Sequence, residues 1–270
     1  HAVSQLRHTQ LDAWTADLLG QGRFISTSAY WGGLFQRAQA GDSASSELLL
    51  QRLAEWRQDH NSDSVLLLDA SGAAVGLEHP QSRATAPELQ AAAQAAFAQG
   101  KPVLTGVYQQ PDEAIPQRVD IVIPLLSTGQ PAQGAVVLRT YAARWLFPTL
   151  RQWPVPTASG ETNLWRREGE QLVLMNQLRQ QNGQVAGRLL LPLDHPTRAA
   201  ARLERGEEKP GRVFENIDYR NVRVLAVGQR VAGSGWWTVT KIDLAEVHAP
   251  ARRSAWWIAL GTAAALGALA

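Results

Sequence analysis

The chain has 270 residues, 45% hydrophobic and 19% charged, with no cysteine, one methionine and ten tryptophans. That length accommodates one or two domains with a buried core, and the lack of cysteine excludes disulfides, thiolate metal sites and a catalytic thiol. Basic and acidic residues nearly balance at 26 to 24, and the arginines are scattered, so no basic stripe points to nucleic acid.

Residues 1–60 read as a helical bundle or stalk. Leu6, Leu11, Trp14 and Leu18 form a partial apolar stripe that Gly20 and Gly22 interrupt. Tyr30, Trp31, Leu34 and Phe35 continue the helical pattern. Gly41-Asp42-Ser43 breaks it, and Ser45 or Ser46 caps a further helix carrying Leu48, Leu49, Leu53 and Trp56.

From residue 61 to 141 the period changes. Val65–Asp69 reads as a short apolar strand ending in the turn Asp69-Ala-Ser-Gly72, with Ala73–Leu77 returning as its partner. Pro87 suits a helix first turn, and Glu88–Gln99 continues as helix until Gly100 and Pro102 stop it. Strands are expected at Val103–Gln109, Val119–Leu126 and Gly134–Tyr141. This order describes an antiparallel sheet with helices segregated to one face, an α+β arrangement.

Residues 142–156 read as a connecting helix closed by Trp153-Pro154-Val155-Pro156. The element order then repeats over 157–248. Asn163–Arg167 and Gln171–Gln177 flank a hairpin turn, and Arg188–Pro192 is a short strand. A helix is expected at Thr197–Arg205, then strands at Arg212–Asp218, Val222–Val231 and Trp236–Ile242. The halves share an order of elements and not a residue pattern. Over 249–270, sixteen residues from Ala255 carry no charge, with Trp256 and Trp257 at their head. A bilayer core needs about 20 apolar residues as helix, and indoles favour its boundary. The run reads as the start of a transmembrane helix; the alternative is a helix packed on the domain.

No His-Glu-x-x-His, P-loop, nucleophile elbow or dinucleotide fingerprint occurs. The six histidines lack ligand spacing. Glu168 and Glu170 flank a turn glycine and read as a solvated hairpin tip, and Gly233-Ser-Gly235 reads as turn chemistry. No catalytic residue, metal or cofactor is implied within these residues. The late strands of the first sheet are more informative. Alternation puts Asp120 on a face with Val122 and Pro124, and Arg139 with Tyr141, while Tyr108 ends its strand. Tyr108, Asp120, Arg139 and Tyr141 are therefore the candidate ligand-binding residues: a carboxylate accepts from an amine, and a guanidinium grips a carboxylate through paired hydrogen bonds. The alternative is a solvated sheet face with a surface Asp–Arg pair. Trp236 and Trp237 read as packing residues.

The stretches Val65-Leu-Leu-Leu-Asp-Ala-Ser-Gly72, Phe147-Pro-Thr-Leu-Arg-Gln-Trp-Pro154, Glu161-Thr-Asn-Leu-Trp-Arg-Arg-Glu-Gly169, Asp218-Tyr-Arg-Asn-Val222 and Gly235-Trp-Trp-Thr-Val-Thr-Lys-Ile-Asp243 resemble the double Cache extracytoplasmic sensor domains of bacterial signal transducers. The resemblance covers about residues 1–250. It implies two tandem PAS-like modules, membrane-distal over 61–141 and membrane-proximal over 157–248, behind the helical lead-in. The distal module would hold the ligand. Amino-acid-binding members carry a Tyr, Arg, Trp cluster near the start of that module. Here the nearest approach is Trp56-Arg57, in a helix and in reversed order, so amino-acid recognition does not transfer.

The resemblance implies a periplasmic region of an inner-membrane receptor that binds a small molecule and signals across the bilayer, as a homodimer anchored by the carboxy-terminal helix. A sensor histidine kinase of a two-component system is the leading output. A diguanylate cyclase, a phosphodiesterase or a chemoreceptor is the alternative. Readings of another class are a ligand-free dimerisation module and a membrane-anchored hydrolase.

Overall fold

The structure, a computed structural model, describes residues 1–59, 62–77, 86–109, 117–127, 130–180, 189–249 and 254. Helices α1 (Ala2–Ser26), α2 (Ala29–Gln39) and α3 (Ser43–Asp59) lead into β1 (Ser64–Asp69) and β2 (Ala74–Leu77). Helix α4 (Pro87–Gln99) crosses over to β3 (Val103–Leu104), β4 (Arg118–Ser127) and β5 (Gln130–Tyr141). Among the described residues these five strands form one antiparallel sheet in the order β2-β1-β5-β4-β3. After a turn at 142–145 comes the short helix α5 (Leu146–Arg151). A second antiparallel sheet follows, built from β6 (Glu161–Glu168), β7 (Gln171–Leu174), β8 (Leu190–Pro192), β9 (Val213–Ile217), β10 (Arg223–Val231) and β11 (Trp236–Asp243). Its order is β8-β7-β6-β11-β10-β9, with α6 (Ala199–Glu204) on the crossover from β8 to β9. The second order repeats the first with one extra edge strand. This is the α+β arrangement of two similar sheets behind a long helix that the chain's pattern predicts.

Local chemistry places the elements. Asp69 Oδ1 accepts from the Ser71 and Ala73 N–H groups at 2.8 and 3.0 Å, and Gly72 takes φ +82°, which turns β1 into β2. Pro87 opens α4, and Gly100 at φ +60° closes it in the left-handed region that glycine adopts most easily. β1 and β4 are buried on both faces, so they read as near-continuous apolar runs and not as strict alternation. One face of the first sheet, with Val65, Leu67, Ile121, Ile123, Val136 and Leu138, packs on α1, α2 and α3. The opposite face, with Leu66, Leu68, Val122, Ala135 and Val137, packs on Leu89, Ala92, Ala93 and Ala96 of α4.

α1 is continuous through Gly20 and Gly22, contrary to the interruption their composition suggests. The reason is packing. A Cβ at Gly22 would lie 3.0 Å from Pro102 and 3.1 Å from Ile121, so the bare backbone lets α1 close on the first sheet. Near its other end α1 meets the second sheet. Asp12 Oδ1 accepts from the Ala232 N–H at 2.9 Å, Thr15 Oγ1 donates to the Ala232 carbonyl at 3.2 Å, and Gln229 Nε2 donates to Ser4 Oγ at 3.2 Å. The apolar cluster follows α1. Trp14 stacks on Trp145 at 5.1 Å and tilts against Trp236 of β11 at 6.3 Å. The two sheets thus share one continuous apolar layer on the α1 side. The outer face of the second sheet has its own cluster with α6.

These contacts predict opposite responses from two neighbouring glycines. Gly20→Ala should stabilise the protein by up to about 1 kcal/mol, the helix-propensity difference, because only Arg23 lies within reach, at 3.8 Å. Gly22→Val should destabilise it by about 1–3 kcal/mol through overpacking. Urea denaturation measures both, and a shift in the same direction would contradict the close approach of α1.

Among the described residues no helix is long and apolar enough to cross a membrane. The apolar run 255–270, expected to begin a transmembrane helix, lies outside the described residues.

Candidate functional site

β4 and β5 pair with Asp120 directly opposite Arg139, so both side chains emerge on the face covered by α4. Asp120 is 0% and Arg139 2% exposed. The solvated-surface alternative is thereby overturned: this is a buried pair beneath a helix. Arg139 Nε donates to Asp120 Oδ1 at 3.0 Å and Nη2 donates to Oδ2 at 2.9 Å, a paired geometry.

Tyr108 reaches the pair from the neighbouring strand end. Its backbone N–H and carbonyl exchange hydrogen bonds with Arg118 at 3.1 and 3.0 Å. Its hydroxyl donates to Asp120 Oδ2 at 2.5 Å and accepts from Arg139 Nη2 at 3.3 Å. The Arg118 guanidinium carbon lies 5.0 Å from the centre of the Tyr108 ring, a cation–π distance. Thr105, adjacent in the sheet, accepts the Asp120 N–H on Oγ1 at 2.9 Å. The hydroxyl of this threonine was not among the residues read from the sequence; its signal is its place one residue beyond the β3 register with β4, opposite Asp120.

Electrostatics follow from burial. Burial pushes the Tyr108 phenol far above its ordinary value, and the Asp120 charge pushes it further. The phenol therefore stays protonated and acts as a donor. Burial works against the charged form of Arg139, but Asp120 outweighs it and holds the guanidinium protonated. Asp120 offers about four lone-pair sites. Among the described residues, Oδ2 accepts from the Tyr108 hydroxyl and Arg139 Nη2, and Oδ1 accepts from Arg139 Nε. The cluster combines one accepting position with a ring of donors, which suits a small molecule carrying both kinds of group.

Tyr141, the fourth candidate, shares the Arg139 face by parity but makes none of these side-chain bonds. Its side chain is half-buried, and its N–H donates to Asp63 Oδ2 at 2.6 Å. Residues 78–85 and 110–116, which flank this face in sequence, lie outside the described residues.

In the second sheet, Asn176 serves the backbone: its Oδ1 accepts the Leu164 N–H at 2.7 Å and its Nδ2 donates to the Thr162 carbonyl at 3.1 Å. Asp218 and Arg220 join a buried charge network with Lys241, Glu161 and Tyr219. Lys241 and Glu161 escaped the sequence reading. Their signal is the period of two: Lys241 continues the inward face of Trp237 and Val239, and Glu161 that of Asn163 and Trp165. Glu168 and Glu170 are exposed and pair with Arg166 and Arg167, the solvated hairpin tip expected. Trp236 and Trp237 are buried at 0% and 3%, as packing residues.

No family model matches the chain, and no curated protein matches it. Solved structures do. The ligand-binding domain of the Pseudomonas aeruginosa amino acid chemoreceptor PctB, in complex with L-arginine, superposes with a TM-score of 0.58 at 16% identity, covering 92% of this chain and 95% of that one. The ligand-binding domain of the Campylobacter jejuni chemoreceptor Tlp3 with L-norvaline gives 0.61 at 10% identity, covering 92% and 91%. That of the P. aeruginosa amino acid chemoreceptor PctC with GABA gives 0.56 at 15% identity, covering 90% and 97%. The shared property is the fold, which is the double Cache fold that the sequence resembles.

Proposed function

We propose that the chain is the extracytoplasmic ligand-sensing region of a transmembrane chemoreceptor and binds a small amino-group-bearing molecule at the α4 face of its first sheet. The observation that carries this reading is the buried Tyr108–Asp120–Arg139 cluster. It has the polarity a zwitterion or amine requires: a carboxylate that can accept from an ammonium and a guanidinium that can donate to a carboxylate. The three solved structures named above, each a ligand-binding domain of a chemoreceptor, support the chemoreceptor output over the histidine kinase.

The organisation belongs to the same reading. Residues 61–141 act as the membrane-distal module and 157–248 as the membrane-proximal one. The run 255–270 anchors the chain, and α1 pairs two copies, a role supported by the exposed Leu6 and Phe24 on that helix. Ligand binding shifts an equilibrium between two arrangements, and it signals only through a difference in affinity for them. The way out is the end of β11. Glu246 just beyond it accepts the Ala158 and Ser159 N–H groups at 3.0 and 2.9 Å and the Thr157 hydroxyl at 2.8 Å, clasping the start of β6.

The test is a thermal-shift and calorimetric screen of the chain against the L-amino acids and GABA. At least one should raise the melting temperature. Tyr108→Phe should weaken its binding by about tenfold, equivalent to about 1.4 kcal/mol. If none binds, or if Tyr108→Phe and Asp120→Asn both bind the hit as the parent does, the assignment fails.

A further inference from the structure

The outer face of the second sheet holds a cavity of about 350 Å³ between β6, β11, α6 and the β8 strand, which is within the range of small-molecule sites. Much of its wall is apolar: Trp165, Leu191, Ala199 and Val239 line it. Its polar side chains differ in what they still offer.

Asp218, the acid that lines the cavity, is engaged on both oxygens, and Glu161 behind it is engaged as well. Asp218 Oδ1 accepts the Arg220 and Val222 N–H groups at 2.9 and 3.3 Å, while Oδ2 accepts Lys241 Nζ at 2.6 Å and Arg220 Nε at 2.7 Å. Glu161 accepts the Arg179 N–H at 2.5 Å, the Tyr219 hydroxyl at 3.2 Å and Lys241 Nζ at 3.1 Å. The donors are not saturated. Arg198 lines the cavity, its Nη1 is anchored on the Ile217 and Asp218 carbonyls, and among the described residues it has no carboxylate partner. His195 Nδ1 accepts the Thr197 N–H at 3.3 Å, so the neutral ring carries its proton on Nε2 and is a donor there. Burial, with Arg198 and Arg205 nearby, keeps that ring below the usual histidine value and so neutral at pH 7.

One further atom points to a ligand. Asn163 lines the same cavity, is 4% exposed, and its Oδ1 is buried with no hydrogen-bond partner among the described residues. A buried amide oxygen left unsatisfied is costly and can only accept, so it marks a place where another molecule supplies a donor such as a hydroxyl.

The geometry points to a second ligand site in this cavity, one for a small hydroxy acid: its carboxylate on Arg198 and His195, its hydroxyl donating to Asn163 Oδ1, its apolar body against Trp165, Leu191 and Val239. Asp218, the carboxylate on the cavity wall, is occupied on both oxygens, so the site favours an anion over an ammonium ligand. The site is separate from the α4-face cluster of the first sheet and does not depend on its assignment.

The experiment is calorimetric titration of the whole chain with 2-hydroxyhexanoate, with hexanoate, hexanol and hexylamine as controls of the same chain length. The hydroxy acid should bind at least about tenfold more tightly than hexanol or hexylamine, and more tightly than hexanoate, a difference that isothermal titration resolves. Arg198→Met should lose the preference over hexanol. Asn163→Leu, which removes an unpaired buried amide, should melt no lower than the parent and bind 2-hydroxyhexanoate no better than hexanoate; it keeps the test decisive if Arg198→Met folds poorly. Binding of 2-hydroxyhexanoate that persists in Tyr108→Phe and falls in Asn163→Leu assigns it to the second sheet. No binding of the hydroxy acid, equal binding of hexanol and hexylamine, or loss only in Tyr108→Phe overturns the proposal.

Discussion

Asp120→Ala is expected to lower stability by about 3–5 kcal/mol, the usual result of stripping one partner from a buried ion pair. The loss arises chiefly from what remains. Arg139 would keep its charge at 2% exposure without the carboxylate that takes both its Nε and its Nη2, and the Tyr108 hydroxyl would lose its acceptor. Removing the partners together should behave differently. An Arg139→Met, Tyr108→Phe background strands the buried Asp120 carboxylate, so adding Asp120→Leu there should stabilise, and the triple variant should cost little relative to the parent. Ligand binding, in contrast, should be absent from both the single and the triple variant. That separation distinguishes a group kept for recognition from one kept for folding. Urea denaturation and titration with the screened ligand give the two readouts. A single-variant loss below about 1 kcal/mol would mean that the pair is solvated.

Trp236→Ala should be comparably severe, about 3–5 kcal/mol, the range for deleting a large buried aromatic. Trp236 is fully buried on β11 and contacts Trp14 of α1, which in turn stacks on Trp145 beside α5. A cavity there opens where α1, the second sheet and the connection between the sheets converge. Trp236→Phe should cost less than about 2 kcal/mol, because the indole Nε1 it removes is buried without a partner among the described residues, so no hydrogen bond is lost. Urea unfolding followed by circular dichroism compares them. Equal losses for Ala and Phe would show that the indole nitrogen, and not ring volume, matters at this position.

Much of this architecture is legible from the chain alone, and the reasons are local. Apolar runs find β1 and β4, period-two alternation finds β5 and β11, and the Pro87 and Gly100 signals bound α4 to within a residue. Parity alone places Asp120 and Arg139 correctly on their faces. Burial and register are not legible in that way. That Asp120 faces Arg139 across two strands depends on which residues pair, and that a helix covers them depends on the crossover. Strand length at the edge is also a tertiary outcome. Val103–Gln109 reads as one strand, yet only Val103–Leu104 pair in the ladder and Tyr108 makes an isolated bridge to Arg118. The Glu161–Asp218–Lys241 network gathers residues from β6, the end of β9 and β11, so no window of sequence contains it. Gly22 misleads for the opposite reason: composition suggests a break, and packing turns the missing side chain into a contact.

The path of α1 has a mechanical consequence. Residues near its start are pinned to Gln229 and Ala232, and Gly22 near its end is pressed on Pro102 and Ile121. At 1.5 Å per residue its 25 residues make a rod about 37 Å long, so a swing of about 3° at one end carries the other through about 2 Å. A tilt of the first sheet of that size, passed to α1 where Gly22 meets Ile121, would therefore emerge as a displacement against the second sheet.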